Sequence, residues 1–228
     1  MEDKAGEKID FKEDLSGLLK EISETQSEEK IKEDLVLVAE QREAYQSVVK
    51  WPSKILKTWT KKVDLTTCDL GVIQDQIEKM CKVVKLLNGV GIASNQLGFN
   101  NRVCVCWFGA REDKDLVPMI NPSIETHGRE WVSMKEACLS CDDCVGTIRR
   151  RDWVSVTWFD RDGFENRTEF YDWNARIVQH EIDHLNGLTI IDKFSLADKA
   201  FNKLVINDLS CREGMKRKRF VRRGALVA

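Results

Sequence analysis

A chain of 228 residues, 42% hydrophobic and 32% charged, carries a formal net charge of −2. That length suffices for the core of one domain with an appendage, or of two small domains, and the hydrophobic fraction excludes a wholly disordered chain. No apolar run nears the ~18 residues of a membrane span, and Met1–Lys8 has neither the apolar centre of a secretory signal nor the basic character of a transit peptide, so the eight cysteines are expected as thiols or metal ligands in a reducing compartment.

The small total hides an asymmetry between the ends. Residues 1–50 hold 14 acidic and 8 basic side chains, a net of −6, whereas residues 211–228 hold 7 basic and one acidic, a net of +6. Within the first fifty, Ile31, Leu35, Val38, Tyr45 and Val49 recur at helical spacing, which predicts one or two amphipathic helices separated by the polar stretch Ser23–Glu29. Such a charge-rich segment reads as a solvated helical extension, with a partner-binding arm as the alternative. Trp51-Pro52 breaks the pattern and is expected to open the main domain. Ile77, Met80, Cys81, Val84 and Leu87 mark a helix with one apolar stripe, stopped at Asn88-Gly89. The runs Arg102–Phe108 and Val117–Ile120 read as strands. Trp153–Phe159 and Phe164–Phe170, joined by Asp160–Gly163, read as a hairpin. A last helix is expected from Asp172, as N-cap, to Asn186-Gly187. Helices set apart from hairpin strands indicate an α+β fold with antiparallel sheet. The expected organisation is an acidic helical extension over 1–50, a catalytic domain over 51–210 and a basic tail over 211–228.

Two of the three histidines fall in His180-Glu181-Ile182-Asp183-His184. On a helix, positions i and i+4 share a face, so both imidazoles can reach one metal ion, and Glu181 lies one step round without being a ligand. Metal-assisted hydrolysis needs this: a divalent ion lowers the pKa of water toward ~7, and a carboxylate takes and returns the proton. Val178, Ile182 and Leu185 give the helix an apolar flank. A catalytic site needs a third protein ligand. The metzincin pattern matches through Gly187 but has Ile190 where its third histidine belongs, and Glu213, in the basic tail, is the only glutamate beyond His184. The ligand is therefore expected upstream, where cysteine is plentiful.

Three segments in order, Gly89-Val-Gly91-Ile-Ala-Ser-Asn-Gln96-Leu-Gly98, Glu136-Ala-Cys138-Leu-Ser140 and His180-Glu181-x-x-His184, resemble the motifs of the peptide deformylases, over roughly Trp51 to Phe194. The resemblance implies an α+β fold of antiparallel sheets around a central metal-binding helix. It implies a metal-dependent hydrolase that removes the formyl group from formylmethionyl nascent peptides and releases formate. Cys138, His180 and His184 would hold one divalent ion, natively Fe²⁺, with Zn²⁺ or Ni²⁺ in purified material. Glu181 would be the general base and then the acid, while the Gln96 amide and the Leu139 backbone N–H donate to the oxyanion. Glu136 would stand behind the ligands or face the substrate. Gly91 would let backbone approach an extended substrate, and Val90 and Ile177 would wall an apolar pocket for methionine. The implied location is the cytoplasm of a bacterial cell or of a virus-infected host. The implied partners are nascent peptides and, through the basic tail, the ribosome, with no membrane and no sequence-specific nucleic acid.

The chain departs from that pattern at several positions. Ser94 and Ala137 replace an Ala and a Gly, and Cys141-Asp142 stand where an aliphatic residue and proline are usual. Cys138-x₂-Cys141-x₂-Cys144 resembles part of an iron–sulfur motif without its following x₃-Cys-Pro. Cys104 and Cys106 fall on a strand, where thiols act as small hydrophobes, and His127 beside Gly128 reads as a surface histidine. Two other classes thus stay open: a zinc peptidase cleaving internal peptide bonds, and a non-catalytic iron–sulfur or zinc-binding interaction module.

Overall fold

In a computed structural model, which describes residues 28–109 and 116–211, Val103–Trp107 is a strand buried at every position. It is β2 of an antiparallel sheet ordered β1-β2-β3-β6-β7, with β1 at Gly91–Ala93, β3 at Leu116–His127, β6 at Trp153–Phe159 and β7 at Glu165–Tyr171. A separate two-stranded sheet pairs β4, Trp131–Cys138, with β5, Cys141–Arg151. The helices are α1 (Glu28–Ser47), α2 (Leu70–Leu86), α3 (Asp172–Leu185), α4 (Ile190–Lys193), α5 (Leu196–Phe201) and α6 (Lys203–Cys211).

Side chains alternate across a strand, and β2 is covered on both faces. Val103 and Val105 join Ile73, Ile77, Met80 and Val84 of α2, whereas Cys104 and Cys106 join Ala175, Val178 and Ile182 of α3. Two-sided burial explains why this strand reads as a continuous apolar run. Each large side chain so buried contributes about 1.5–3 kcal/mol. A third apolar cluster lies under the small sheet, where Cys138, Cys141, Cys144 and Ile148 pack with Ile190, Ile191 and Phe194. The α3 helix packs against both sheets, on β1, β2, β6 and β7 of the large one and on β5 of the small one. The fold is therefore α+β with antiparallel sheets, as the helix and hairpin pattern indicated.

Several boundaries fall elsewhere than expected. The chain divides into compact units at 1–43 and 44–228, seven residues before Trp51, because Ala44 and Val48 are buried in the second unit's core. The α2 helix starts at Leu70, with the Asp69 side chain accepting from the Gly71 N–H at 2.9 Å. The helix does end at the expected Asn88-Gly89, where Asn88 takes the left-handed conformation with φ of 53°. Tyr171, not Asp172, is the N-cap of α3. β4 and β5 were not expected, since their outward faces are polar, and β3 runs on to an exposed His127. The readings for residues 1–27 and for the basic stretch 212–228 lie outside the described residues. Among the described residues, no helix is long and apolar enough to cross a membrane.

Gly187 closes α3 with φ of 72°, and a Cβ there would stand 2.7 Å from the Lys57 carbonyl oxygen. Gly163, in the β6–β7 turn, has φ of 85° with open space around it. Both Gly→Ala changes incur left-handed strain, but only Gly187→Ala also displaces backbone. Gly187→Ala should cost about 2–3 kcal/mol, roughly 4–12 °C in Tm, and Gly163→Ala about 1 kcal/mol. Calorimetry of the two variants checks the order; equal losses would remove the Lys57 contact as the cause.

Candidate metal centre

The α3 helix presents His180 and His184 on one face, and the β4–β5 hairpin brings Cys138 to meet them. Cys138 Sγ lies 3.1 Å from His184 Nε2, which lies 3.2 Å from His180 Nε2. All three ligand atoms are within 4.8 Å of one another, and all three residues are buried. Bonds of ~2.0–2.3 Å to a tetrahedral ion set ligand atoms about 3.3–3.8 Å apart, so these donors fit one ion with little adjustment. Burial opposes a charged Cys138, but the Cys141 thiol and His184 hold its pKa well below the ordinary thiol value. Burial likewise works against a charged His180, yet Cys138 and Glu136 push its pKa up to about 10.

Glu136 orients the first histidine. Its Oε2 is 2.9 Å from His180 Nδ1, which leaves Nε2 facing Cys138 and His184. Arg150 donates to both Glu136 oxygens at 2.7 and 2.9 Å and reaches Asp183 Oδ2 at 2.6 Å. Arg176 donates to Glu136 Oε1 at 2.5 Å and to the carbonyls of Ile148 and Val132 at 3.1 and 2.8 Å. Burial would raise the Glu136 pKa, but His180 and Arg150 hold it far below the usual carboxylate range. Glu136 is thus 1% exposed with both oxygens engaged. Of its two expected positions, this is the one behind the ligands; no oxygen remains to face a substrate.

Glu181 is equally buried but differs in its partners and its charge. It is fully buried, neither of its oxygens has a hydrogen-bond partner, and burial, opposed by both histidines, lifts its pKa to about 7. Gly91 makes room for it: a Cβ at Gly91 would fall 2.6 Å from Glu181 Oε1. The glycine expected to admit a substrate backbone therefore also admits this carboxylate.

Gln96 sits in a 3₁₀ turn, Ser94–Leu97, and is fully buried. Its Oε1 accepts from the Ala93 N–H at 2.7 Å, which aims Nε2 at Ser140 Oγ, 3.1 Å away, and at Cys138 Sγ, 3.6 Å away. Leu139 and Ser140 form the turn between Cys138 and Cys141, which pair in register. Val90 and Ile177 fall in one apolar cluster on the α3 side of the sheet. Ala137 keeps an ordinary negative φ, so the change from glycine strains nothing, and the Ser94 hydroxyl donates to the Asn101 carbonyl. Cys141 and Cys144 are buried beside Cys138.

Sequence reasoning missed Arg150, Arg176 and Asp183, and it missed Asn95, whose Nδ2 donates to the His184 carbonyl at 2.6 Å. The signal for Arg150 was present: in Arg149-Arg150-Arg151 on a strand, the middle residue faces opposite to its neighbours.

The family model described as polypeptide deformylase matches residues 45–200. A peptide deformylase of Thermodesulfovibrio yellowstonii is 36% identical over 149 residues, 65% of this chain and 88% of that protein. One of Borreliella burgdorferi is 34% identical over 160 residues, 69% and 92% of the two chains. Among solved structures, a probable peptide deformylase from Synechococcus phage S-SSM7 aligns with a TM-score of 0.61 at 31% identity, covering 64% of this chain and 98% of that one. The peptide deformylase of Plasmodium falciparum aligns with a TM-score of 0.66 at 28% identity, covering 72% and 94%.

Glu136→Gln removes the charge between two buried guanidiniums while keeping the shape. Breaking one side of such a buried network costs about 3–5 kcal/mol, roughly 6–20 °C in Tm, and loss of a carboxylate behind a metal-ligating histidine weakens metal binding about 10–100-fold. Calorimetry and competition with a chromogenic zinc chelator read the two effects. Unchanged zinc affinity would mean that Glu136 does not set the His180 ring.

Proposed function

Because the chain belongs to the polypeptide deformylase family, we propose that Cys138, His180 and His184 hold its one divalent ion and that Glu181 moves the proton in its reaction. The enzyme removes the N-formyl group from nascent peptides, and the family's chemistry depends on a metal. When bound, the ion supplies Lewis acidity and an activated water at neutral pH. A thiolate with two imidazoles suits Fe²⁺ as well as Zn²⁺ or Ni²⁺, and we assign Fe²⁺ as the native ion.

The observation that carries this reading is the unpartnered, fully buried Glu181 carboxylate beside three converging donors. A buried carboxylate without a partner is costly, and proton transfer gives it a use. Glu181 takes the proton from the water that attacks the formyl carbon, then delivers it to the amine as the C–N bond breaks; formate and a free N-terminus result. The Gln96 Nε2 and the Leu139 N–H donate to the carbonyl oxygen as charge develops there. Gln96 is pre-aimed because its own oxygen is fixed by the Ala93 N–H, and such a donor is worth ~10²–10³ in turnover. At the sheet's edge, β1 offers backbone to an extended substrate, with Gly91 at its start and Val90 and Ile177 walling a pocket for the methionine side chain.

The catalytic assignment rests on the unit that begins at Ala44, with the acidic residues ahead of it as an extension and the basic stretch 211–228 as a tail. We place the enzyme in the cytoplasm, with the tail contacting ribosomal RNA through phosphate charge.

Protein purified without oxygen should release formate from a formyl-Met tripeptide, lose that activity on chelation and regain it with Fe²⁺. Glu181→Ala should keep its metal by elemental analysis and lose about 10²–10⁴-fold in kcat; an active variant would remove Glu181 as the proton carrier. Truncation after Ser210 should abolish co-sedimentation with ribosomes at low salt, and full co-sedimentation would overturn the role of the tail.

A further inference from the structure

Cys141 and Cys144 have no part in the chemistry above, yet both are 1% exposed and packed in one cluster with the ligand Cys138. Three thiols within seven residues of chain, all buried in one cluster, call for an explanation. Cys138 and Cys141 are register partners across the two-residue turn Leu139-Ser140. Directly opposed residues in an antiparallel pair have Cα atoms about 4.5–5.5 Å apart and side chains on the same face. That lies inside the ~4.4–6.8 Å span a disulfide needs. Both side chains also pack in the same buried cluster. Their spacing, Cys-x-x-Cys, is that of redox-active dithiols.

Cys144 is placed differently. Between the pairs Glu136↔Gly146 and Cys138↔Cys141 the register shifts, so Asp142 to Val145 bulge against Ala137 alone, with Asp143 at φ of 59°. Cys144 sits in that bulge and has no cross-strand partner in the ladder. The first pair is the one the backbone aligns.

We propose that Cys138 and Cys141 form an oxidisable dithiol, a site for peroxide, whose closure to a disulfide takes the thiolate ligand from the metal centre and releases the ion. The chemistry balances with hydrogen peroxide as the oxidant. Cys138 sulfur attacks one peroxide oxygen; the O–O bond breaks, an S–O bond forms, and the leaving hydroxide takes the thiol's proton, or one from solvent where Cys138 is the ligand thiolate, and departs as the first water. Cys141 sulfur then attacks Cys138 sulfur; the S–S bond forms, the S–O bond breaks, and the second water departs with the Cys141 proton. Two thiols lose two electrons to one peroxide. Access follows from the function proposed above, on which this inference rests, since a formyl group must reach the same centre and peroxide is no larger. The neighbouring thiol protects the ligand, because a sulfenic acid captured as a disulfide is spared the irreversible steps to sulfinic and sulfonic acid.

The tryptic peptide Glu136–Arg149 contains all three thiols and no internal cleavage site. The full-length, zinc-loaded chain is treated with hydrogen peroxide, denatured, alkylated and digested. The expected peptide carries one alkyl group, at Cys144, and lies about 2 Da below the mass of the reduced peptide bearing one such group, through a Cys138–Cys141 disulfide. A chromogenic chelator should report zinc release at the same rate, and dithiothreitol should restore three alkylatable thiols and zinc binding. Cys144→Ser should close the same disulfide. In Cys141→Ser, and in Cys141→Val should the serine variant fail to load zinc, Cys138 should advance to sulfinic acid, and dithiothreitol should not restore zinc binding. Three alkyl groups after zinc has left, a disulfide through Cys144, or sulfinic acid at Cys138 in the native chain would each overturn the proposal. Formate release from the same preparation separates the two readings. An active enzyme that forms no disulfide overturns only this inference; an inactive one that closes the disulfide and loses zinc overturns only the hydrolase assignment.

Discussion

One buried carboxylate joins the two halves of the centre. Glu136 stands on the small sheet, and its partners Arg176 and His180 stand on α3, while Arg150 on β5 reaches both Glu136 and Asp183. The metal donors are divided along the same line, with Cys138 on the hairpin and the histidines on the helix. Their convergence is therefore only as good as the docking of hairpin on helix. Apolar packing of Ile148 with Ile190 and Ile191 of α4, the helix that follows α3, holds the hairpin in place, but packing tolerates small slides. A carboxylate held by two guanidiniums and an imidazole does not, because each slide would lengthen a charged hydrogen bond in a low-dielectric setting.

The two glutamates show how burial has opposite outcomes. Glu136 is surrounded by cations and remains ionised; Glu181, one residue from His180, has no hydrogen bond and a pKa lifted to about 7. The first is a fixed charge and the second an adjustable one. Gly91 preserves the difference by leaving space beside Glu181 in place of a side chain.

Much of this was legible in the chain, for identifiable reasons. His180 and His184 were readable because helical periodicity converts a spacing of four into a shared face. The stripe on α2 and the alternation on β6 and β7 were readable because one face of each is apolar. Cys138 came from resemblance alone, since no local rule ties a cysteine on a hairpin to a helix forty residues later. Alternation could single out Arg150 only once β5 was known to be a strand, and Arg176 has the same local signature as a solvated arginine. β4 and β5 were hidden for a related reason: Ser133, Lys135, Thr147 and Arg149 face outward and dilute the strand pattern. The start of the second unit was misplaced because Trp51-Pro52 punctuates the chain more loudly than Ala44 and Val48 do.

That last displacement has a consequence for how the chemistry can be carried from one chain to another. Val49 N–H donates to the Gln96 carbonyl, Trp51 N–H to the Ser140 carbonyl, and Lys50 to Leu139 oxygen and Asp142, while the Tyr45 hydroxyl also reaches Asp142. These few residues lace together the turn bearing Gln96 and the turn bearing Cys138, from outside the region that the three motifs span. The smallest inheritable piece of this enzyme thus begins ahead of its recognisable motifs. A gene fusion or recombination event that respected only those motifs would transmit every reactive side chain and leave behind the thread that gathers them.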